Sequence, residues 1–432
     1  MTTYKSQKKF NKNLLEFLKT STTPFHAVEN MKNILQATGY FQLDEADSWN
    51  LEIGGKYFVI RNGASIIAFE FNKNLLKNGL HMVGAHTDSP NLKVKPNPEI
   101  MKNGYFQTGV EIYGGALLNP WFDRDLSLAG RVSFEDDKGN IQSLLLDFKR
   151  PIAIIPSLAI HLDRDANINK TIDKQKHLSP ILFLNKGNAD IEFISLLANE
   201  IENQHSDIAI ANILDFELSF YDFQAPSLLG LNEEFVVSAR LDNLLSCYAG
   251  ISALVDSKSV RGKLLVCNDH EEVGSISSSG AQGPFLHSVM QRIMPNNLEM
   301  LQCIHNSMLI SADNAHAIHP NFSEKHDENH VPLINNGPVI KINANQRYAT
   351  NSETSAYFKK LCSDVDVQTQ SFVVRSDMAC GSTIGPIVAA ELGVSTIDVG
   401  VPTFAMHSIR ETAGSDDTYS LYRVLKQYYS LS

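Results

Sequence analysis

Leu80-His-Met-Val-Gly-Ala-His86-Thr-Asp88 is an apolar run that ends on a histidine, with an aspartate two residues beyond. An apolar run of this length, closed by polar residues, reads as a buried strand with its chemistry at the carboxyl end. Three later stretches repeat the arrangement. Leu264-Leu-Val-Cys-Asn-Asp-His-Glu271-Glu272 ends on adjacent glutamates, Met308-Leu-Ile-Ser-Ala-Asp313 on an aspartate, and Thr396-Ile-Asp-Val-Gly leads on to Met406-His407. Short apolar runs, each followed by loop or helix signals, have the rhythm of an α/β sheet with helical connections. In such sheets ligands gather at the carboxyl ends of the strands.

Taken singly, these residues have ordinary explanations. Asp242, in Ser238-Ala-Arg-Leu-Asp242-Asn243, could cap a helix, His407 could be a hydrogen-bonded core histidine, and two adjacent glutamates could line a solvated loop. Together they give one set of imidazole and carboxylate donors, the chemistry zinc accepts. Two zinc ions roughly 3.5–4 Å apart can clamp a developing oxyanion and need carboxylates to offset their repulsion. Asp88, two residues after His86, is placed to fix the imidazole tautomer. Of the two glutamates, one can bind metal while the other, Glu271, faces water as a general base.

Outward from this core, Leu14, Leu15, Phe17 and Leu18 predict an amphipathic opening helix, and Thr23-Pro24 predicts the N-cap and first turn of a second one stopped near Gly39. Strands are expected at Lys56 to Arg61 and Ser65 to Phe71. The texture changes near Asn91-Leu-Lys-Val-Lys-Pro-Asn-Pro98, read as a boundary segment. Strands follow through Gly109 to Tyr113, Ala129 to Phe134, Ile141 to Phe148 and Asp215 to Asp222, with one helix at Ile191 to Ile201. The expectation is an α/β, mixed-sheet catalytic domain over residues 1–92 and 236–432, interrupted by a mainly β domain over 93–235.

The 432 residues suit two domains, and 43% hydrophobic with 20% charged residues is ordinary for a folded chain. A net charge of −11, with no basic block beyond Lys5 to Lys12, argues against nucleic acid as a partner. Five scattered cysteines without a C-x-x-C pair, and no apolar stretch of signal or membrane length, point to a cytoplasmic protein. Neither a G-x-S-x-G elbow nor a Walker-type loop occurs; Gly381-Ser-Thr-Ile-Gly385 lacks the following lysine and reads as a helix N-terminus.

Across essentially its whole length the chain resembles the aspartyl aminopeptidases, relatives of vacuolar aminopeptidase I within the co-catalytic zinc peptidases. The motifs that carry this are Gly84-Ala-His86-Thr-Asp88-Ser-Pro90, Ser238-Ala-Arg-Leu-Asp242-Asn243, Asp269-His-Glu271-Glu272-Val-Gly-Ser275, Ser311-Ala-Asp313-Asn-Ala-His316, Arg375-Ser-Asp-Met-Ala-Cys380 and Met406-His407-Ser-Ile-Arg-Glu411. The resemblance implies two zinc ions per subunit, with other divalent ions possible in one site. Asp242 would bridge them, His86 and Asp313 would complete one site, Glu272 and His407 the other, and Glu271 would be the base. It implies that the inserted domain mediates dimerisation and that dimers form a tetrahedral dodecamer. His161 would reach a neighbouring subunit's site and stabilise the tetrahedral intermediate, and Lys341 would lie near the substrate side chain. Without the resemblance, Lys341 reads as a solvated lysine at a strand end. Met378 and Ala379 differ from animal members, which leaves side-chain preference open.

The expected activity is removal of N-terminal Asp or Glu from peptides with a free N-terminus. Broad action on neutral residues such as Leu is an alternative, and so is a carboxypeptidase or deacylase on the same scaffold. A non-catalytic assembly protein is disfavoured, because a purely structural metal site has no use for the spare carboxylate of Glu271.

Overall fold

The computed structural model describes residues 2–72, 74–186, 191–205 and 208–431. It divides into two compact units: one holds the chain up to Ser89, Pro226–Met406 and from Glu411 on, the other Pro90–Ala225 with His407–Arg410.

The first unit is built on a nine-stranded mixed sheet, in the order Phe41–Gln42, Lys56–Arg61, Ser65–Glu70, Gly262–Asn268, Leu80–His86, Met308–Ala312, Ser395–Gly400, Val339–Lys341 and Gln370–Phe372. Its four central strands, from Gly262–Asn268 to Ser395–Gly400, run parallel. Every residue of Leu80–His86 and of Gly262–Asn268 is buried, as expected where helices cover both faces of a parallel sheet. Alternate side chains serve opposite cores. Val83, Ala85, Leu265 and Cys267 pack under the helices Thr2–Thr20, Leu241–Asp256 and Asp417–Ser430, whereas Met82, Leu264 and Val266 pack with Phe285–Ile293 and Asn297–His305. Burying a side chain of this size contributes about 1.5–3 kcal/mol, so the strands that carry the chemistry are among the most tightly held.

The opening helices form as predicted. Thr23 caps Pro24–Ala37 by accepting the N–H of His26, and Gly39 follows at φ +85°. A smaller five-stranded sheet in this unit includes Phe235–Ser238, Glu411–Gly414 and Pro402–Phe404.

The second unit holds a six-stranded antiparallel sheet, in the order Ile141–Asp147, Leu126–Asp136, Ile210–Asp222, Asn91–Lys102, Tyr105–Tyr113 and Ile181–Leu184, with the helix Phe193–Gln204. The segment Asn91–Pro98, read above as a boundary, stands at the start of this unit, which begins at Pro90, and forms the first part of the strand Asn91–Lys102. Its register breaks between Val94 and Glu99, where Pro96 and Pro98 have no N–H to give to the ladder. Among the described residues no helix is long and apolar enough to cross a membrane.

Candidate metal centre

The four parallel strands end side by side. His86 is the last residue of Leu80–His86 and is in register with Asn268. Beyond Asn268 the chain turns through Asp269 and His270, the latter left-handed at φ 66°, into the short helical turn Glu271–Val273. Asp313 follows Met308–Ala312 and donates its N–H to Val399 O at 2.9 Å. Asp242 enters from the start of the helix Leu241–Asp256, where its own dihedrals (φ −81°, ψ 107°) are extended.

These side chains converge. His86 Nε2 lies 3.3 Å from Asp242 Oδ1 and 3.5 Å from Asp313 Oδ1. Donor atoms of His86, Asp242 and Asp313 fall within 4.8 Å of one another, and so do those of His86, Glu271 and Glu272. His86, Asp242 and Asp313 are buried, and the two glutamates are half-buried. One imidazole and four carboxylates in this space fit a divalent cation of the zinc type, since nitrogen and oxygen donors are what it binds and the negative charges need a counter-charge.

The surrounding groups hold the donors in place. Asp88 is fully buried, and its Oδ1 and Oδ2 accept the N–H groups of Glu271 and Glu272, each at 3.1 Å. His86 Nδ1 is 3.0 Å from the main-chain O of Asp88 and 3.4 Å from its carboxylate. Asp88 therefore reaches the imidazole chiefly through its backbone and uses its carboxylate on the glutamate turn. The backbone of Asp242 is gripped from both sides: its N–H donates to Glu411 Oε2 at 2.9 Å, and its O accepts Ser89 Oγ–H at 2.5 Å. Asn243 ties the same segment to Ala312 O at 2.8 Å. Glu411 and Ser89 carried no role in the sequence reading, although both stand inside quoted motifs; what marks Glu411 is a carboxylate only 2% exposed.

Crowding of charge shows in the protonation equilibria. Burial works against a charged His86, but the carboxylates of Asp242, Asp313 and Asp88 prevail and hold its pKa well above the ordinary value. Burial pushes Glu271 up to about 7, with His86 pulling the other way and Asp313, Asp242 and Asp88 adding to the rise. Glu272 is raised by burial and by Asp242. A carboxyl poised near neutrality is suited to accepting and returning a proton.

Lys341 is only 2% exposed, so the reading of a solvated strand-end lysine is overturned: its Nζ lies 3.0 Å from Asp313 Oδ2. Met378 is 45% exposed in the loop after Arg375. His407 belongs to the second unit, where its Nδ1 is 3.2 Å from Gly115 O and its own O accepts Leu117 N–H. His161 is exposed in that unit, among the exposed Leu158, Ile160 and Leu162.

Comparison with known proteins agrees with this chemistry. The family model described as aminopeptidase I zinc metalloprotease (M18) matches residues 17–429. A probable M18 family aminopeptidase 2 of Ectopseudomonas mendocina is 57% identical over 418 residues, covering 96% of this chain and 97% of that protein. Among solved structures, Ape4 in a complex with Nbr1 superposes with a TM-score of 0.95 at 40% identity, over 98% of this chain and 86% of the other. The S. cerevisiae mApe1 dodecamer gives a TM-score of 0.84 at 28% identity, over 97% and 96%.

Proposed function

The chain belongs to the M18 family of aminopeptidase I zinc metalloproteases, and from that premise we propose that it removes single residues from the free N-terminus of peptides with two divalent cations at the centre described above. The observation that carries this reading is the convergence of His86, Asp242, Asp313, Glu271 and Glu272 at adjoining strand and helix ends. His86 and Asp313 would hold one cation, Glu272 and His407 the other, and Asp242 both. When bound, such cations polarise a carbonyl and lower the pKa of water.

The chain's own groups do the rest. Glu271 takes the proton from the attacking water and returns it to the leaving amine. Asp88 holds its turn by accepting the Glu271 backbone N–H. Glu411 and Ser89 keep Asp242 at its station.

Finer features follow from the family resemblance. The mainly β unit would mediate dimerisation, and dimers would assemble into a tetrahedral dodecamer; the solved S. cerevisiae mApe1 is a dodecamer. The exposed His161 would act in a neighbouring subunit. Preference for N-terminal Asp or Glu is the first form of the reading, and acceptance of neutral residues such as Leu is the second. Five free cysteines among the described residues suit a cytoplasmic setting.

A panel of aminoacyl chromogenic substrates, free and N-acetylated, tests the reading after chelation and zinc reconstitution. The expected result is zinc-dependent cleavage of free-amine substrates only. Cleavage confined to the blocked ones would replace the aminopeptidase with a deacylase.

A further inference from the structure

We infer that Lys341 is a positioning residue for Asp313, locking one carboxylate oxygen so that the other is presented to a cation, and that its charge is not available to a substrate side chain. The inference rests on the metal-centre reading for Asp313 but not on any substrate preference.

Two of the ammonium's donors meet oxygen acceptors, and the charge also lies near an aromatic ring. Nζ lies 3.0 Å from Asp313 Oδ2, 3.1 Å from Asn314 O and 5.2 Å from the centroid of the Tyr348 ring. The first is a charge-assisted bond, the second an ordinary one, and the third is within cation–π reach. Lys341 is only 2% exposed and its charge is already paired with the Asp313 carboxylate, which leaves little of it for an arriving acidic side chain.

The placement is built into the sheet. Asp313 and Lys341 lie on opposite sides of the strand Ser395–Gly400, both beside Val399. Asp313 N–H donates to Val399 O, and Val399 pairs with Ile340, the neighbour of Lys341. Lys341 in turn pairs with Phe372 on its far side. With both backbones fixed, the lysine reaches Oδ2 across the intervening strand. Asp313 Oδ1, 3.5 Å from His86 Nε2, is the oxygen left facing the other donors. A ligand carboxylate oriented through its second oxygen is the usual outer support of a metal site, and loss of such a support costs typically about 10–100-fold in metal affinity.

The sign of the effect separates this role from simple electrostatics. A positive charge beside the centre repels cations, so its removal by Coulomb's law alone would tighten metal binding. Loss of orientation would weaken it.

The test is Lys341→Met, close in length and apolar, with Lys341→Gln as a second variant that keeps a donor and guards against misfolding. Circular dichroism checks the fold, and competition with a chromophoric chelator measures zinc affinity on the full-length protein. The expected result is a loss of about 10–100-fold in affinity for one zinc in Lys341→Met and a smaller loss in Lys341→Gln. At saturating zinc, kcat/KM for N-terminal Asp, Glu, Leu and Ala substrates should fall by a common factor. Unchanged or tighter zinc binding, or a rise in KM confined to acidic substrates, would overturn the inference. If the parent cleaves none of these substrates while zinc affinity still drops in Lys341→Met, the proposed function fails and the positioning role stands.

Discussion

Asp88 Oδ1 accepts the backbone N–H of Glu271 at 3.1 Å, across 183 residues of chain. Its other oxygen does the same for Glu272. One buried carboxylate thereby fixes the turn that carries both the proposed base and a proposed ligand. Asparagine at this position offers one acceptor oxygen and an amide that clashes with the second N–H. We expect Asp88→Asn to lower kcat by about 10–100-fold with a similar loss in metal affinity, read by steady-state kinetics and zinc titration. Parent-like values for both would show that the turn holds without the clamp.

Glu271→Gln removes the base and leaves the size of the side chain unchanged. Metal content should stay near that of the parent while kcat falls by about 10²–10⁴-fold, the usual contribution of a general base. Metal analysis alongside kinetics separates this from ligand loss: a variant that loses its zinc would make Glu271 a ligand.

The part of the centre that was legible in the sequence follows from sheet physics. Parallel strands covered on both faces, such as Leu80–His86 and Gly262–Asn268, read as unbroken apolar runs. The first polar residues beyond them therefore stand at the carboxyl edge, and His86, Glu271, Glu272 and Asp313 could be picked out without knowing strand order. What could not be read depends on which strands adjoin. Lys341 is buried only because Val339–Lys341 and Met308–Ala312 both neighbour Ser395–Gly400, and no local pattern announces that order. The two-residue spacing of Asp88 from His86 suggested a carboxylate aimed at the imidazole, whereas the long-range partners in Glu271 and Glu272 decided its direction. In the other unit, the prolines of Asn91–Pro98 marked a boundary but hid the strand, because a strand that tolerates them needs a register break, which the pairing with Tyr105–Tyr113 shows.

Away from the centre, Asp417 is fully buried at the start of the last helix and accepts the N–H groups of Asn335 and Gly337 at 2.6 and 2.9 Å. Burial pushes its carboxyl from 3.8 up to about 7, against the pull of those two N–H groups. A raised folded pKa means the folded state holds the proton more tightly. The resulting stabilisation is complete below the unfolded pKa and is lost as pH rises through about 7. Asp417→Asn cannot titrate, so its Tm should gain on that of the parent as pH goes from about 4 to about 7, by an amount worth on the order of a few kcal/mol at most. A difference in Tm that stays flat across this window would show that Asp417 does not titrate there.

His161 is exposed, with Leu158, Ile160 and Leu162 exposed around it, and its proposed role in a neighbouring subunit can be tested by complementation. His161→Ala alone should lower kcat while leaving zinc content intact, and Glu271→Gln should be nearly inactive. Mixed oligomers, reassembled from both variants, contain centres that keep Glu271 and receive an intact His161 from a Glu271→Gln subunit. Activity of the mixture should therefore exceed the sum of the two variants measured apart. If His161 served its own subunit, each centre would carry one defect whatever its neighbour, and mixing would restore nothing. Sedimentation of the parent gives the companion check, since a fully active monomer would leave no neighbour for His161 to serve.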